Sequence, residues 1–226
     1  MFGTPSIARR IGIGALVMVV AAGAGACSGG TKSLVDNFAD KANASDFQAS
    51  GTISGSMSIT YSGQKIDVPL SGTIAMKGQD SQMSMKMTVM GQDSTQDSIT
   101  VGNTQYTRSG TDAWTSKAKD ASSLGVNDLL KAAGFVDKGV ETHNGQQLHK
   151  LASPKPIDPK LLGFGDNVSN AQVDIFFWAK DDGTFAGMTW TGSFDEVQNG
   201  ATMPMTMDIS FDFTSYSGVT ITAPSM

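Results

Sequence analysis

The chain has one cysteine in 226 residues, so no internal disulfide can staple it. It has two histidines, His143 and His149, six positions apart across an expected turn. With the thiol placed far from both, no metal-ligand set has workable spacing. Charged residues make up 16% of the chain and form no basic cluster. That speaks against nucleic acid as a partner and against electrostatic docking on anionic lipid. The acidic pairs Asp181-Asp182 and Asp195-Glu196 read as solvated turns, because calcium asks for alternating oxygen ligands over about 12 residues. There is no Gly-x-Ser-x-Gly elbow, no P-loop and no Gly-x-Gly-x-x-Gly fingerprint, although the chain holds 26 glycines. The expectation is a protein that is not an enzyme and needs no cofactor or metal.

What is present begins at the N-terminus. Arg9 and Arg10 precede an apolar run from Ile11 to Ala26, which closes on Ala24-Gly25-Ala26 directly ahead of Cys27. A positive start, a short apolar segment and a small-residue cleavage site make up a secretory signal. The run is 16 residues long, against about 20 for a membrane-spanning helix. The segment resembles a bacterial lipobox, with Ala24 where a branched residue is usual. Lipid modification would explain both the solitude and the position of Cys27. Two other readings stay open, an ordinary cleaved signal that leaves a free thiol and a true transmembrane helix. The expected organisation is a lipoprotein signal peptide over 1–26, a lipidated tether over 27–33 and a single domain over 34–226. The expected location is the extracytoplasmic face of the cell membrane, held by acyl chains such as palmitate. One chain holds weakly, whereas two or more anchor stably. Removing residues 1–26 takes Arg9 and Arg10, leaving 14 basic against 21 acidic residues in 200, a formal charge of −7.

Beyond the tether, Leu34, Val35, Phe38, Ala39 and Ala42 recur at helical spacing, and Asn43 to Asp46 should end that helix. The period then changes to two. Strands are expected over 51–61, 64–76, 82–89 and 96–101, joined by turns at Ser62-Gly63, Gly78 to Asp80 and Gly91 to Ser94. A short strand follows over 105–108, and Trp114 begins a turn region. Asn127 is placed as the cap of a helix over 128–133, with Gly134 after it. A hairpin over 135–143 and 146–152 turns on Asn144-Gly145. Pro154, Pro156 and Pro159 mark an irregular connection, and strands are expected over 171–180, 184–194, 201–213 and 219–222. The fold class is α+β, mostly antiparallel β.

This order of features resembles the mycobacterial lipid-carrier lipoproteins of the LppX/LprG type, related in fold to the LolA and LolB carriers. The matching features are Cys27, the early helix, the long meander, Ile99 to Tyr106 followed by Trp114, Gln147 to Leu151, Phe176 to Gly183, and the ending Val219 to Pro224. The resemblance implies a curved half-barrel sheet with a few short helices packed on its concave side and an apolar cavity for lipid tails between them. It also implies envelope lipid machinery, such as an exporter, as a partner.

Methionine is the most unusual component, at 13 residues. Core strands are normally built from Val, Ile and Leu, yet Met57, Met76, Met83, Met85, Met87, Met203, Met205 and Met207 all fall in alternating strand patterns. Methionine is unbranched and soft, and it suits surfaces that must adapt to varied partners. The residues expected to line a lipid site are these eight with Ile59, Ile74, Val173, Ile175, Phe177, Ile209 and Phe211. The bland reading is that the same residues fill an ordinary core. For Phe176 and Trp178, on the other face of their strand, plain burial is at least as good an account. The expected function is a membrane-anchored envelope lipoprotein that encloses the acyl chains of a lipid or glycolipid and carries or transfers it. The alternative is a non-enzymatic lipoprotein with a filled core that binds another envelope protein.

Overall fold

The computed structural model describes residues 32–61, 63–119, 126–162, 167–198 and 200–225. Arg9, Arg10, the apolar run, Cys27 and most of the expected tether lie outside the described residues, as does Ser62.

Helix α1 spans Leu34–Ala42 and opens on a reciprocal cap: the Ser33 hydroxyl accepts from the Asp36 N–H at 3.1 Å, and the Asp36 carboxylate accepts from the Ser33 N–H. Its buried side chains are Phe38 and Ala42. Helix α2 spans Val126–Ala133. It begins two residues earlier than expected, so Asn127 lies within the helix instead of capping it. Gly134, at φ 65° in the left-handed region that most side chains avoid, ends it, and the Phe135 N–H returns to the Leu130 carbonyl at 3.1 Å.

The strands are β1 (Gln48–Tyr61), β2 (Gln64–Lys77), β3 (Asp80–Val89), β4 (Gln92–Val101), β5 (Thr104–Ser109), β6 (Thr115–Ala118), β7 (Val136–His143), β8 (Gln146–Ala152), β9 (Val168–Ala179), β10 (Phe185–Gln198) and β11 (Ala201–Ser215). They form one open, curved 11-stranded sheet in the order β6-β5-β4-β3-β2-β1-β11-β10-β9-β8-β7. Two antiparallel meanders, β1 to β6 and β7 to β11, meet where β1 pairs with β11. The connection from β6 to β7 therefore runs from one edge of the sheet to the other, and α2 lies on it.

The period-two patterns hold because one face is buried. Along β11 the odd positions from Met205 to Phe213 are buried and the even ones face outward. The outer face carries Ser, Thr and Asp, and bonds such as Ser58 to Thr206 at 2.7 Å link neighbouring strands there.

Three further expectations fail. The segment after Trp114 is strand β6, pinned to β5 by the Thr107–Thr115 hydroxyl contact at 3.1 Å. It was hidden because Thr-Ser-Lys-Ala has no apolar alternation. The turn expected at Gly91 to Ser94 is the tighter Met90-Gly91, so β4 starts at Gln92. Residues 219–222 are not a strand; Val219 is buried and its N–H donates to the Gln48 side chain at 3.2 Å.

Candidate functional site

Residues paired directly across an antiparallel sheet share a face, so the register assembles rows across the inner surface. One row runs Leu151, Phe177, Met188, Phe211, Ile53, Gly72, Met85, Gln96, Ser109. The next runs Ile175, Trp190, Ile209, Gly55, Leu70, Met87, Ser94. Another runs Val173, Gly192, Met207, Met57, Val68, and the one beyond it Phe194, Met205, Ile59, Ile66. Met203 follows Met205 on the same side of β11. Towards the opposite end, Ile74 pairs with Met83, and Met76 pairs with Ala49 and Ser81.

The register thus brings all fifteen expected lining residues to one face. Met57, Ile59, Met76, Met85, Met87, Val173, Ile175, Phe177, Met205, Met207, Ile209 and Phe211 are buried in a single apolar cluster, with Ile74, Met83 and Met203 packed half-exposed against it. Sequence reasoning left out Val68, Leu70, Val89, Trp190 and Phe194 of the same cluster. Their period-two spacing, Val68 and Leu70 after Ile66, Val89 after Met87, and Trp190 and Phe194 four apart, was the available signal. The Trp190 indole N–H finds its partner locally, in the Met188 sulfur at 2.8 Å.

The helices cover this face. Phe38 of α1 lies 5.3 Å from Phe177 and 5.0 Å from Phe185, ring centre to ring centre. Phe135, just after α2, lies 5.1 Å from Phe177, and Phe213 lies 5.0 Å from Phe185. Leu129 and Leu130 of α2 and the half-buried Leu161 and Leu162 of a 3-10 turn join the same cluster. Phe177 is therefore seated in a knot of rings. Two devices hold α1 in place. Lys41 donates to Asp182 at 2.7 Å and to Thr184 at 3.2 Å, in the turn between β9 and β10. Gly183, at φ 83°, lies so close to α1 that a Cβ would meet Asn37 at 2.9 Å and the Phe38 nitrogen at 3.0 Å. The Lys41 ammonium, the Thr184 N–H and the Thr184 hydroxyl hold the Asp182 carboxyl well below the usual carboxylate range. The acidic pairs are thus engaged: Asp195 and Glu196 also accept, from Asn170 at 2.8 Å and Asn167 at 3.2 Å.

The inner face changes character between β3 and β4. Methionines Met83, Met85 and Met87 on β3 stand directly beside Ser98, Gln96 and Ser94 on β4. Ser98, Thr100 and Gln105 are buried. Gln105 reaches Ser98 at 3.5 Å, the outer limit of a hydrogen bond, and the Thr100 hydroxyl has no partner.

On the outer face, His143 stacks on Trp178 at 4.2 Å and contacts Asp212 at 2.6 Å. The Ser210 hydroxyl bonds Thr189, which also accepts from the Trp178 indole N–H at 2.9 Å. Trp178 and the half-buried Phe176 belong to a small separate cluster with Leu148 and Ala186. His149 contacts Asp137 at 2.9 Å. Among the described residues no group of three His, Cys, Asp or Glu could hold a metal ion, and no helix is long and apolar enough to cross a membrane.

No family model and no curated protein matches the chain. Solved structures do. The chain is similar to the Mycobacterium tuberculosis lipoprotein LppX, at 11% identity and a TM-score of 0.39, covering 84% of this chain and 98% of that one. It is also similar to ywiB from Bacillus subtilis, at 11% identity and a TM-score of 0.29, covering 74% and 94%. A third is a DUF1329 family protein from Desulfovibrio piger, at 13% identity and a TM-score of 0.30, covering 83% and 92%.

Proposed function

We propose that this protein is a membrane-tethered lipoprotein that encloses the acyl chains of a lipid or glycolipid against the inner face of its sheet. The observation that carries the reading is the inner face itself. It is apolar from β3 across to β9, is furnished with methionines where β1, β2, β3 and β11 lie side by side, and is covered by two short helices. Side chains of this kind re-pack around a flexible guest. Sequestering a CH₂ from water is worth about 0.8 kcal/mol, so a 16-carbon chain represents on the order of 10 kcal/mol. No covalent chemistry is needed. Release then requires a membrane or a partner protein, such as an envelope exporter, that binds the lipid comparably well. The tether is the acylated Cys27.

Native mass spectrometry of the protein is the test. Co-purified or added lipid should remain bound at a stoichiometry near one. A clean unliganded mass that takes up no lipid would overturn the carrier reading. Near-complete burial of Met85 and Met205, each 4% exposed, favours the second reading, a filled core in a lipoprotein that binds another envelope protein. The anchor is tested separately. Cys27→Ala should abolish incorporation of labelled fatty acid and move the protein from membrane to soluble fractions. A variant that still takes up the label would remove the anchor from the proposal.

A further inference from the structure

Strands β4 and β5 place polar side chains where the rest of the inner face is apolar. The row Ala49, Met76, Ser81, Thr100, Gln105, Lys117 crosses from apolar to polar in a single step between β2 and β3. The neighbouring row does so between Met83 and Ser98. Ile99 and Val101, the apolar residues of β4, sit in the opposite register, Ile99 paired with Gln82 and Tyr106 and Val101 with Thr104, and so belong to the outer face. The polar set is not at the surface: Thr100 is 0% exposed, Gln105 4% and Ser98 6%. Buried hydroxyls and amides in folded proteins almost always have partners, because losing water without a replacement is unfavourable. Here the Thr100 oxygen has none, and Ser98 and Gln105 share one long contact of 3.5 Å. A valine would fit the same space without that defect. The hydroxyl is therefore a group waiting for a partner that the chain itself does not supply.

We propose that Thr100, Ser98 and Gln105 bind the uncharged polar linkage of the lipid, an ester or hydroxyl group, while its acyl chain lies on the methionines of β3 and the apolar strands beyond. The inference rests on the acyl-chain reading above and narrows it to a class. The ligand is an amphiphile whose first polar group is neutral. None of the three side chains carries charge, and the next residue of the row, Lys117, is exposed on the edge strand. The hydroxyl of Thr100 can donate to a carbonyl or accept from an alcohol, and the Gln105 amide can do both. A pure hydrocarbon would leave the Thr100 hydroxyl unpaired and the long Ser98–Gln105 contact unimproved. Discrimination against ligands lacking the polar group follows from that penalty.

The experiment compares two probes of equal chain length on the full-length protein, 1-monopalmitoylglycerol and hexadecane, each displacing a pyrene-labelled alkane. The unaltered protein should prefer the glyceride. Thr100→Val should lower glyceride affinity about tenfold, leave hexadecane affinity unchanged and not lower the melting temperature. Should Thr100→Val fail to fold, Ser98→Ala answers the same question, with a smaller selective loss expected. Equal loss for both probes, or no change in their ratio, would overturn the assignment of the polar linkage while leaving the acyl-chain reading intact. Failure of the unaltered protein to bind hexadecane and glyceride alike would overturn both.

Discussion

The inner face has two differently built regions, the ring cluster beneath α1 and the methionine field around β1, β2, β3 and β11. In the first, Phe38, Phe135, Phe177, Phe185 and Phe213 meet at ring separations of 5.0 to 5.7 Å, in tilted and edge-on arrangements. Flat, stiff side chains in contact fix a helix against a sheet and leave it one position. In the second, Met57, Met85, Met87, Met205 and Met207 are equally buried but have three soft torsions each. Burial alone does not separate the regions. Stiffness does, and it assigns them different work: one holds the roof on, and the other can yield beneath it.

The largest expected effect is on the rigid side. Phe38→Ala should destabilise the fold by about 3–5 kcal/mol in urea unfolding, since it removes the ring on which α1 docks. A cost as small as that of a surface substitution would mean that α1 is not part of the fold's core, and the contrast would disappear. Met85→Trp or Met205→Trp tests the other side. The expected result is loss of lipid uptake with little change in stability. A fully packed core would instead lose about 1–3 kcal/mol to overpacking. Unchanged lipid loading with a large drop in melting temperature would make both regions plain core.

Gly183→Ala should cost about 1–2 kcal/mol for its left-handed backbone and more for the contact with α1. Gly63→Ala is the control, because Gly63 shares the positive φ but has nothing within 4 Å of a new Cβ. Equal costs at the two sites would show that Gly183 does not serve the docking of α1. The smallest effect belongs to Lys41→Met, below about 1 kcal/mol for an exposed pair. Asp182 has a lowered carboxyl pKa in the folded state, so its contribution is fully present above the ordinary carboxylate pKa of about 4 and is lost as pH falls through the lower folded value. The stability gap between the natural chain and Lys41→Met should therefore be constant near neutrality and close only in strong acid. A gap that closed between pH 6 and 8 would place the pair's effect on some other group.

Much of this was legible beforehand. Helix α1 has its expected limits because Ser33 and Asp36 cap it locally and Asn43 ends it. The Asn144-Gly145 hairpin forms at its expected place because both residues take positive φ, 47° and 78°. Parity placed Met57, Met85, Met205 and their neighbours on one face, since a period of two leaves no alternative once a single face is buried. Strand β6 was not legible, because an exposed edge strand of Thr, Ser, Lys and Ala needs only a neighbour's free hydrogen bonds. The missing partner of Thr100 was equally hidden. Alternation in β4 reads as polar residues on a wet face, and nothing local says that Ser98 and Thr100 are buried.

By itself, the sequence determined the local elements and the parity of every long strand, because caps, turns and alternation act over a few residues. Only the tertiary structure decided that β1 closes on β11, which sets two meanders edge to edge and makes one continuous inner face. It also decided which side chains share a row across nine strands, where the rings gather against α1, and which hydroxyl is buried without a partner. The closure of β1 on β11 and the ring cluster against α1 depend on contacts between residues more than a hundred positions apart, and such contacts leave no periodic trace in the chain.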